Sequence, residues 1–418
     1  MQMAEPIILD RSNHNISRRN IDPNALKVMY RLYNHGYVTY LVGGSVRDLF
    51  CGRAPKDFDV GTTARPEEIR KLFKNSRIIG RRFKLVHVIF KGRKIIEVST
   101  FRTKGAFDPE EADGSPVEEN TYGTPEDDAL RRDLTINGLF YNVGTFSVID
   151  YVGGLPDLKA GIIRCIGDPY IRFKEDPVRM IRAVRHAARM NFTIEPITYK
   201  AIQDNAPLLV KCSRARIKDE FLRDLKGGAA GPSIELLIEA GILCTLFPEV
   251  EQLCSTNSAD AAALRFAMIK NFCVVDRAVK SGKELRDYML VASFFSPIMA
   301  AMKLENNLPE GKAGISTLNS MIRSRVCEMC SRFGFGKKDA SDIAHTIFGC
   351  RMLALAAKKG NIPNSLKRKA YFEPALFLYQ IETMAKGLRV PSVIMHQIRA
   401  RNVFLIPKPK QKSNFLHQ

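Results

Sequence analysis

Residues Leu41–Thr62 read LVGGSVRDLFCGRAPKDFDVGT. An apolar run ends at the pair Gly43 and Gly44. A short helical segment led by Ser45 carries Arg47 and Asp48, and Asp57 and Asp59 then flank Phe58. In a strand, residues i and i+2 point to one face, so the two aspartates project together while Phe58 turns away. Two carboxylates this close repel each other and stay ionised at low cost only with a cation between them. Hard divalent ions such as Mg2+ take such oxygen ligands. Two of them about 3.5–4 Å apart can activate an attacking hydroxyl and steady a leaving phosphate. Taken alone, D-x-D also reads as a solvated acidic strand end.

The glycines shift that balance. Gly43 and Gly44 end a strand and lead into a helical turn, where exposed backbone N–H groups suit a phosphate. Arg47 adds a charge-assisted donor. The Walker pattern G-x-x-x-x-G-K-[ST] is absent. The span reads as a phosphate site beside a metal site.

Outward from it, the preceding DPNALKVMYRLYNHG reads as a helix capped by Asp22, with Leu26, Met29, Leu32 and Tyr33 along one face. VTYLV, DFDVG, KLVHVIF and KIIEVST read as strands, with the helical turn PEEIRKLF between the second and third. Lys104–Gly123 has Gly, Pro and acids without periodicity and is expected to be a mobile loop. TPEDDALRRDLTINGLFYNV reads as one helix opened by Thr124 and Pro125, and FSVIDYVGGLPDL as a short strand and turn. From Asp176 to about residue 405 helices dominate, and IPKPKQKSNFLHQ reads as a disordered basic tail.

A chain of 418 residues predicts two to four domains. Its net charge of +20 favours a polyanionic partner, nucleic acid or an anionic membrane surface. The most apolar run, Tyr288–Met302, is too short to span a bilayer and is interrupted by Pro297, so it reads as a buried core helix and no membrane partner is expected. The N-terminus has acids near its start and no long apolar core, which speaks against a secretory signal. Nine scattered cysteines suit a reducing compartment and a cytoplasmic location. The one close pair, Cys327 and Cys330, lacks a second pair and reads as structural, with both thiols on one helix face.

The segment EDPVRMIRAVRHAARMNF (Glu175–Phe192) has its own pattern. Asp176 caps and Pro177 starts a helix. At about 100° per residue, Arg179, Arg182, Arg185, His186 and Arg189 fall on an arc of roughly 120°, with apolar residues opposite. Such a stripe is either a solvated face or a grip on triphosphate or RNA backbone, and the nearby phosphate site favours the grip.

Four stretches in order resemble the motifs of the class II tRNA nucleotidyltransferase and poly(A) polymerase family, within the DNA polymerase β-like superfamily. They are Leu41–Thr62, RRDLTINGLFYN (Arg131–Asn142), DYVGGLPDLKAGIIR (Asp150–Arg164) and Glu175–Phe192. The resemblance is dense over residues 21–250 and thin afterwards. It implies an α+β fold: a DNA polymerase β-like nucleotidyltransferase head, a small mixed sheet with helices, followed by an all-helical neck and body. The expected organisation is a basic, loosely ordered arm over 1–20, a head over 21–165, a nucleotide-recognition neck over 166–250, an RNA-binding body over 251–405 and a tail over 406–418.

The resemblance also implies roles. Asp57 and Asp59 would bind Mg2+ as catalytic carboxylates. Asp133 would be a catalytic acid or a sugar and metal contact, with a helix-surface ion pair as its plainer reading. Glu97 lies on the strand expected beside D-x-D and faces away from its core neighbours Ile96 and Val98. It is either the third catalytic acid or an edge-strand surface acid. Arg132 would contact nucleotide or phosphate, and Asn137, four residues after Asp133 on one helix face, the same sugar. The family's E/D-D-x-x-R pattern reads the incoming base, here through Asp176 and Arg179. A carboxylate accepts from the exocyclic amine of adenine or cytosine and a guanidinium donates to a ring acceptor, which disfavours uracil and guanine. Gly43, Gly44, Arg47, Arg182 and Arg185 complete the nucleotide-binding set.

All four motifs are shared by both branches of the family. IIGRRFKLVHV (Ile78–Val88) resembles the stretch that marks bacterial poly(A) polymerases, and the high charge and basic tail suit unstructured RNA. The expected activity is template-independent addition of AMP from ATP to RNA 3′ ends by two-metal transfer, in RNA processing and decay. The alternatives are a CCA-adding tRNA nucleotidyltransferase and an RNA-binding protein that has lost catalysis. In the body, basic residues alternate with apolar ones, and Tyr371, Phe372 and Phe404 serve either core packing, the plainer reading, or base stacking.

Overall fold

The computed structural model describes residues 5–80, 84–103, 122–254, 258–304, 306 and 308–407. It divides into two compact units, Met1–Arg179 with Asn191–Ala201 and Met180–Met190 with Ile202–Gln418.

The first unit is built on an eight-stranded mixed sheet. Its strands are β1 (Ile7–Leu9), β2 (Thr39–Val42), β3 (Asp59–Thr62), β4 (Ser76–Ile79), β5 (Leu85–Ile89), β6 (Ile95–Thr100), β7 (Leu139–Asn142) and β8 (Val148–Asp150). They lie in the order β1-β8-β7-β2-β3-β6-β5-β4. Every pairing is antiparallel except β3 with β6, where Asp59 stands opposite Glu97. Because facing residues share a side, Val42, Phe140, Asp59, Glu97 and His87 form one row on the front of the sheet. Leu41, Tyr141, Val60 and Val98 form a row on the back.

Helix α1 (Pro23–Asn34) begins where Asp22 accepts from the backbone N–H groups of Asn24 and Ala25. Its buried face is Ala25, Val28, Met29 and Leu32, and Tyr33 is exposed. The stripe is thus turned from the one expected. The bulkier Leu26 is left at the margin and the small Ala25 lets the helix approach β2 and β3 closely. On the front, Tyr40, Phe101, Phe140 and Tyr151 pack edge-on or tilted with ring centroids 5.6–6.2 Å apart.

Three expectations change. The loosely ordered arm is docked from Ile7 onward: β1 pairs with β8, and Ile16 and Ile21 enter the core. The helix expected from Thr124 to Val143 stops early. After α3 (Pro66–Leu72), which joins β3 to β4, helix α4 (Pro125–Leu130) opens with a capping box and ends at Arg131. A 3-10 turn (Thr135–Asn137) then leads into β7, because Leu139, Phe140 and Tyr141 are claimed by the sheet between β2 and β8. The Lys104–Gly123 loop and the tail beyond Pro407 fall almost wholly outside the described residues.

In the second unit long helices, including Ala259–Lys280, Asp287–Ala301, Gly311–Arg332, Lys337–Lys358 and Phe372–Ala385, pack around aromatic and aliphatic side chains. Phe247 stacks on Phe333 at 4.3 Å, and Phe221 and Phe294 close the cluster. Leu290 to Met299 are all buried, as expected of a core helix. Among the described residues no helix is long and apolar enough to cross a membrane. Phe372 is buried in the core, and Tyr371 stacks on His345 at 5.2 Å. Cys330 is buried and Cys327 exposed, so the two thiols do not share one environment.

Gly61, two residues past Asp59, has no side chain where Phe101 crosses the strand. A Cβ there would stand 2.5 Å from the Phe101 ring and 3.0 Å from Val42. Gly61→Ala should destabilise the protein by about 1–3 kcal/mol, the cost of forcing volume into a packed core. Urea denaturation measures this, and unchanged stability would refute the close packing.

Candidate active site

Asp59 opens β3, and Asp57 lies just before the strand, both exposed at the front. Glu97 on β6 stands opposite Asp59, and His87 on β5 contacts Glu97 through Nε2 at 3.3 Å. The protein around the Asp59 carboxyl, and then the charge of Glu97, push it up to about 6, while Arg132 works the other way. Among the described residues no three His, Cys, Asp or Glu side chains converge as a preformed metal cage. The donor set is therefore hard oxygens from one or two carboxylates. That fits Mg2+, which keeps several waters and is usually completed by substrate phosphates.

Above this row stands Arg132. Gly43 is held at φ 71°, and a Cβ there would meet the Arg132 Nη1 at 2.7 Å, so glycine is what admits the guanidinium. The guanidinium lies 5.3 Å from the Phe140 ring centroid and donates through Nη2 to Asp128 at 2.8 Å. Asp128, 2% exposed, also accepts from Arg131 at 2.9 Å. Burial works to raise the Asp128 carboxyl, and the two guanidiniums outweigh it and hold it below the usual carboxylate range.

Asp133 and Asn137 are buried beneath. They meet across the 3-10 turn rather than along a helix, with Asn137 Nδ2 donating to Asp133 Oδ1 at 3.2 Å. Asp133 Oδ1 also accepts from the Leu134 backbone N–H at 2.8 Å. Arg47, expected as a phosphate donor, is held by protein partners here. It is 3% exposed and turned inward from α2 (Gly44–Phe50). Its Nε and Nη2 donate to Asp48 and its Nη1 to Asn137 Oδ1 at 2.5 Å. It braces the turn under the glycines instead of facing the front. Gly44, the first residue of α2, packs over that guanidinium.

The third motif acts on the same turn. The Asp150 carboxylate accepts from the N–H groups of Val152, Gly154 and Leu155, opening α5 (Gly154–Ala160). Asp157 on α5 accepts from Thr135 Oγ1 at 2.7 Å. A Cβ on Gly154 would stand 2.2 Å from the Thr135 carbonyl oxygen, so only glycine allows the approach.

Asp176 follows α6 (Pro169–Glu175) and precedes α7 (Val178–Met190). Its Oδ2 lies 4.0 Å from Arg179 Nε, and both residues are 5% exposed. Arg179 donates to the carbonyl oxygens of Arg132 at 3.1 Å and Arg131 at 3.3 Å. Arg172 donates to the same two carbonyls at 3.0 and 2.7 Å and to Glu175 at 2.7 Å. Two guanidiniums thus tie Asp176 and Arg179 to the segment bearing Arg132 and Asp133. Burial, and then neighbouring Arg172, lower the Arg179 pKa from the ordinary arginine value.

The arginine stripe on α7 is not an open cationic face. Arg182, one turn past Arg179, is half-buried. Arg185, expected as a nucleotide contact, pairs within the second unit with Glu220 and with Asp224 at 3.4 Å. Sequence reasoning missed Asp128 and Arg172. Asp128 was findable as an acid four residues before Arg132, whereas Arg172 works through distant backbone carbonyls and leaves no pattern.

The family described as "Poly A polymerase head domain" matches residues 39–164, and "Probable RNA and SrmB- binding site of polymerase A" matches residues 191–254. Poly(A) polymerase I of Salmonella typhimurium is 44% identical over 298 residues, 69% of this chain and 63% of that protein. The match thus spans less than two thirds of that relative. The CCA-adding enzyme of Lactobacillus johnsonii is 33% identical over 316 residues, 71% of this chain and 77% of that protein. A Thermotoga maritima CCA-adding enzyme complexed with tRNA has the same fold, with a TM-score of 0.62 at 19% identity over 96% of this chain and 87% of that chain. With its sheet, its glycine turn and a 33% identical relative matched over 77% of its length, the chain belongs to the class II tRNA nucleotidyltransferase and poly(A) polymerase family.

Proposed function

We propose that the protein is a template-independent poly(A) polymerase that transfers AMP from ATP to RNA 3′ ends. The observation that carries the transferase chemistry is the register that sets Asp59 opposite Glu97 on the exposed front of the sheet, with Asp57 two residues before it and the Arg132 guanidinium near Asp59. A site that crowds carboxylates and leaves them open to solvent is built for a cation.

Asp57 and Asp59, with Glu97 beside them, would hold Mg2+, which supplies Lewis-acid activation of a hydroxyl and charge neutralisation at phosphate. Arg132, packed against Gly43, donates to the triphosphate. Asp133 and Asn137 address the ribose. Asp176 and Arg179 read the base edge, the carboxylate accepting from an exocyclic amine and the guanidinium donating to a ring acceptor. The RNA 3′-hydroxyl gives its proton to solvent as its oxygen bonds to the α-phosphorus, the bond from that phosphorus to the β-phosphate oxygen breaks in line, and pyrophosphate leaves. Arg47 and Arg172, bonded to Asn137 and to the carbonyls of Arg131 and Arg132, hold these donors in place.

Adenylate addition is favoured over CCA completion because the 44% identical relative is a poly(A) polymerase and Ile78–Val88 resembles that branch. Purified protein with Mg2+ and ATP should extend an unstructured RNA by many adenylates and use CTP weakly on tRNA lacking its end. Rising salt should shorten the products, since backbone grip is electrostatic. Inertness on unstructured RNA with clean C-C-A completion on tRNA would reverse the assignment.

Base reading has its own test. Arg179→Ala should lower kcat/KM for ATP and narrow the preference for ATP over GTP by about tenfold or more, the scale of one charged hydrogen bond. RNA affinity should change little. Lost RNA affinity with unchanged nucleotide preference would mark Arg179 as a backbone grip.

A further inference from the structure

The back of the head sheet carries a concavity of about 500 Å³, roofed by the docked N-terminal segment. Arg11, Arg18 and Arg19 project from two short turns, Arg11–Asn13 and Arg18–Asn20, and Tyr30, Tyr141 and Phe146 form the floor. Tyr141 belongs to the row of Leu41 and Val60, on the opposite face from Asp59 and Glu97. The concavity is therefore separate from the candidate active site.

No carboxylate lines it, and none of its three arginines is ion-paired among the described residues. Arg11 donates to the His14 carbonyl at 3.1 Å, and Arg18 donates to the Tyr30 hydroxyl at 2.8 Å. The Arg18 guanidinium lies 4.4 Å from the Phe146 ring centroid. Gathering three uncompensated cations costs free energy unless an anion completes the site.

The frame that holds them is rigid. His14 is buried, its Nε2 2.8 Å from the Phe146 carbonyl and its Nδ1 accepting from the Ile16 N–H at 3.2 Å. Phe146 holds φ 58°, a left-handed conformation that is costly for an aromatic residue and that its surroundings must enforce.

We propose that this concavity binds phosphates of single-stranded RNA upstream of the 3′ end. This rests on the reading that the protein extends RNA. Guanidiniums match phosphate oxygens in geometry and charge. The aromatic rings are taken: Phe146 lies under Arg18, the Tyr30 hydroxyl is engaged and Tyr141 is buried. The site thus grips backbone without stacking bases. From β3 to the edge strand β1 is four strand spacings, about 19 Å. Only RNA long enough to turn that edge reaches both faces.

The test compares wild type, Arg19→Glu and the combined Arg11→Ala, Arg18→Ala, Arg19→Ala variant. Affinity is measured by fluorescence anisotropy on oligoadenylates of about six and about thirty nucleotides, spanning the usual range of single-strand site sizes. The triple variant should bind the long RNA at least tenfold more weakly. Its slope of log affinity against log salt should fall by about 2, or about 0.7 for each of three lost contacts. Arg19→Glu, which removes no internal bond, should weaken long-RNA binding in the same direction. Extension of the short RNA should keep its kcat and KM. If wild type binds and extends RNA while both variants match it in affinity and salt slope, this proposal falls and the functional reading stands. If wild type neither binds nor extends RNA, both fall.

Discussion

The constraint on which the candidate site depends is the parallel pairing of β3 with β6. It is the one parallel pairing in the head sheet, and it sets Asp59 opposite Glu97. Ladder hydrogen bonds and the buried back row of Val60 and Val98 fix that register, so the carboxylates cannot move apart by sliding. A slip of one residue would turn Val60 and Val98 out of the core. The fold therefore holds two like charges together, and the protein around Asp59 first, then the charge of Glu97, favour its protonated form.

Around that crowded pair the arginines do two kinds of work. Arg132 stands over Phe140 and supplies a cation near Asp59. Arg47, Arg172 and Arg179 are buried and turned onto protein acceptors: Asn137, Asp48, and the carbonyls of Arg131 and Arg132. A guanidinium fixed in this way loses little freedom when a ligand arrives, and its geometry is set beforehand. The third motif adds to the same frame, since Asp150 and Asp157 both brace the turn that presents Asp133 and Asn137.

Much of this was legible in the sequence, for physical reasons. Alternation turned Glu97 away from Ile96 and Val98, because strand period is fixed by covalent geometry, whereas Asp57, expected on one strand face with Asp59, lies just before the strand begins. The break after Leu130 was not legible. RRDLTIN carries neither glycine nor proline, and only the pull of the sheet on Leu139, Phe140 and Tyr141 ends the helix there. The inward turn of Arg47 was hidden because its partner Asn137 is ninety residues away. The docking of residues 7–21 was hidden because a three-residue strand has too short a period to read, although Ile16 and Ile21 are core residues. The α7 stripe looked like an open cationic face because nothing local to it announces Glu220 and Asp224.

The central claim is that β3 and β6 crowd Asp59 against Glu97 at a cation site, and the titration of Asp59 tests this directly. In protein carrying 13C-labelled aspartate, the Asp59 carboxyl carbon, assigned by comparison with Asp59→Asn, should titrate near pH 6 without divalent ions. The sign follows from the cause: burial and Glu97 favour the protonated form, so the carboxyl holds its proton to higher pH than in the unfolded chain. Saturating Mg2+ with ATP should reverse this and move the midpoint down into or below the ordinary carboxylate range. A midpoint near 4 in the metal-free protein that does not respond to Mg2+ would contradict the account.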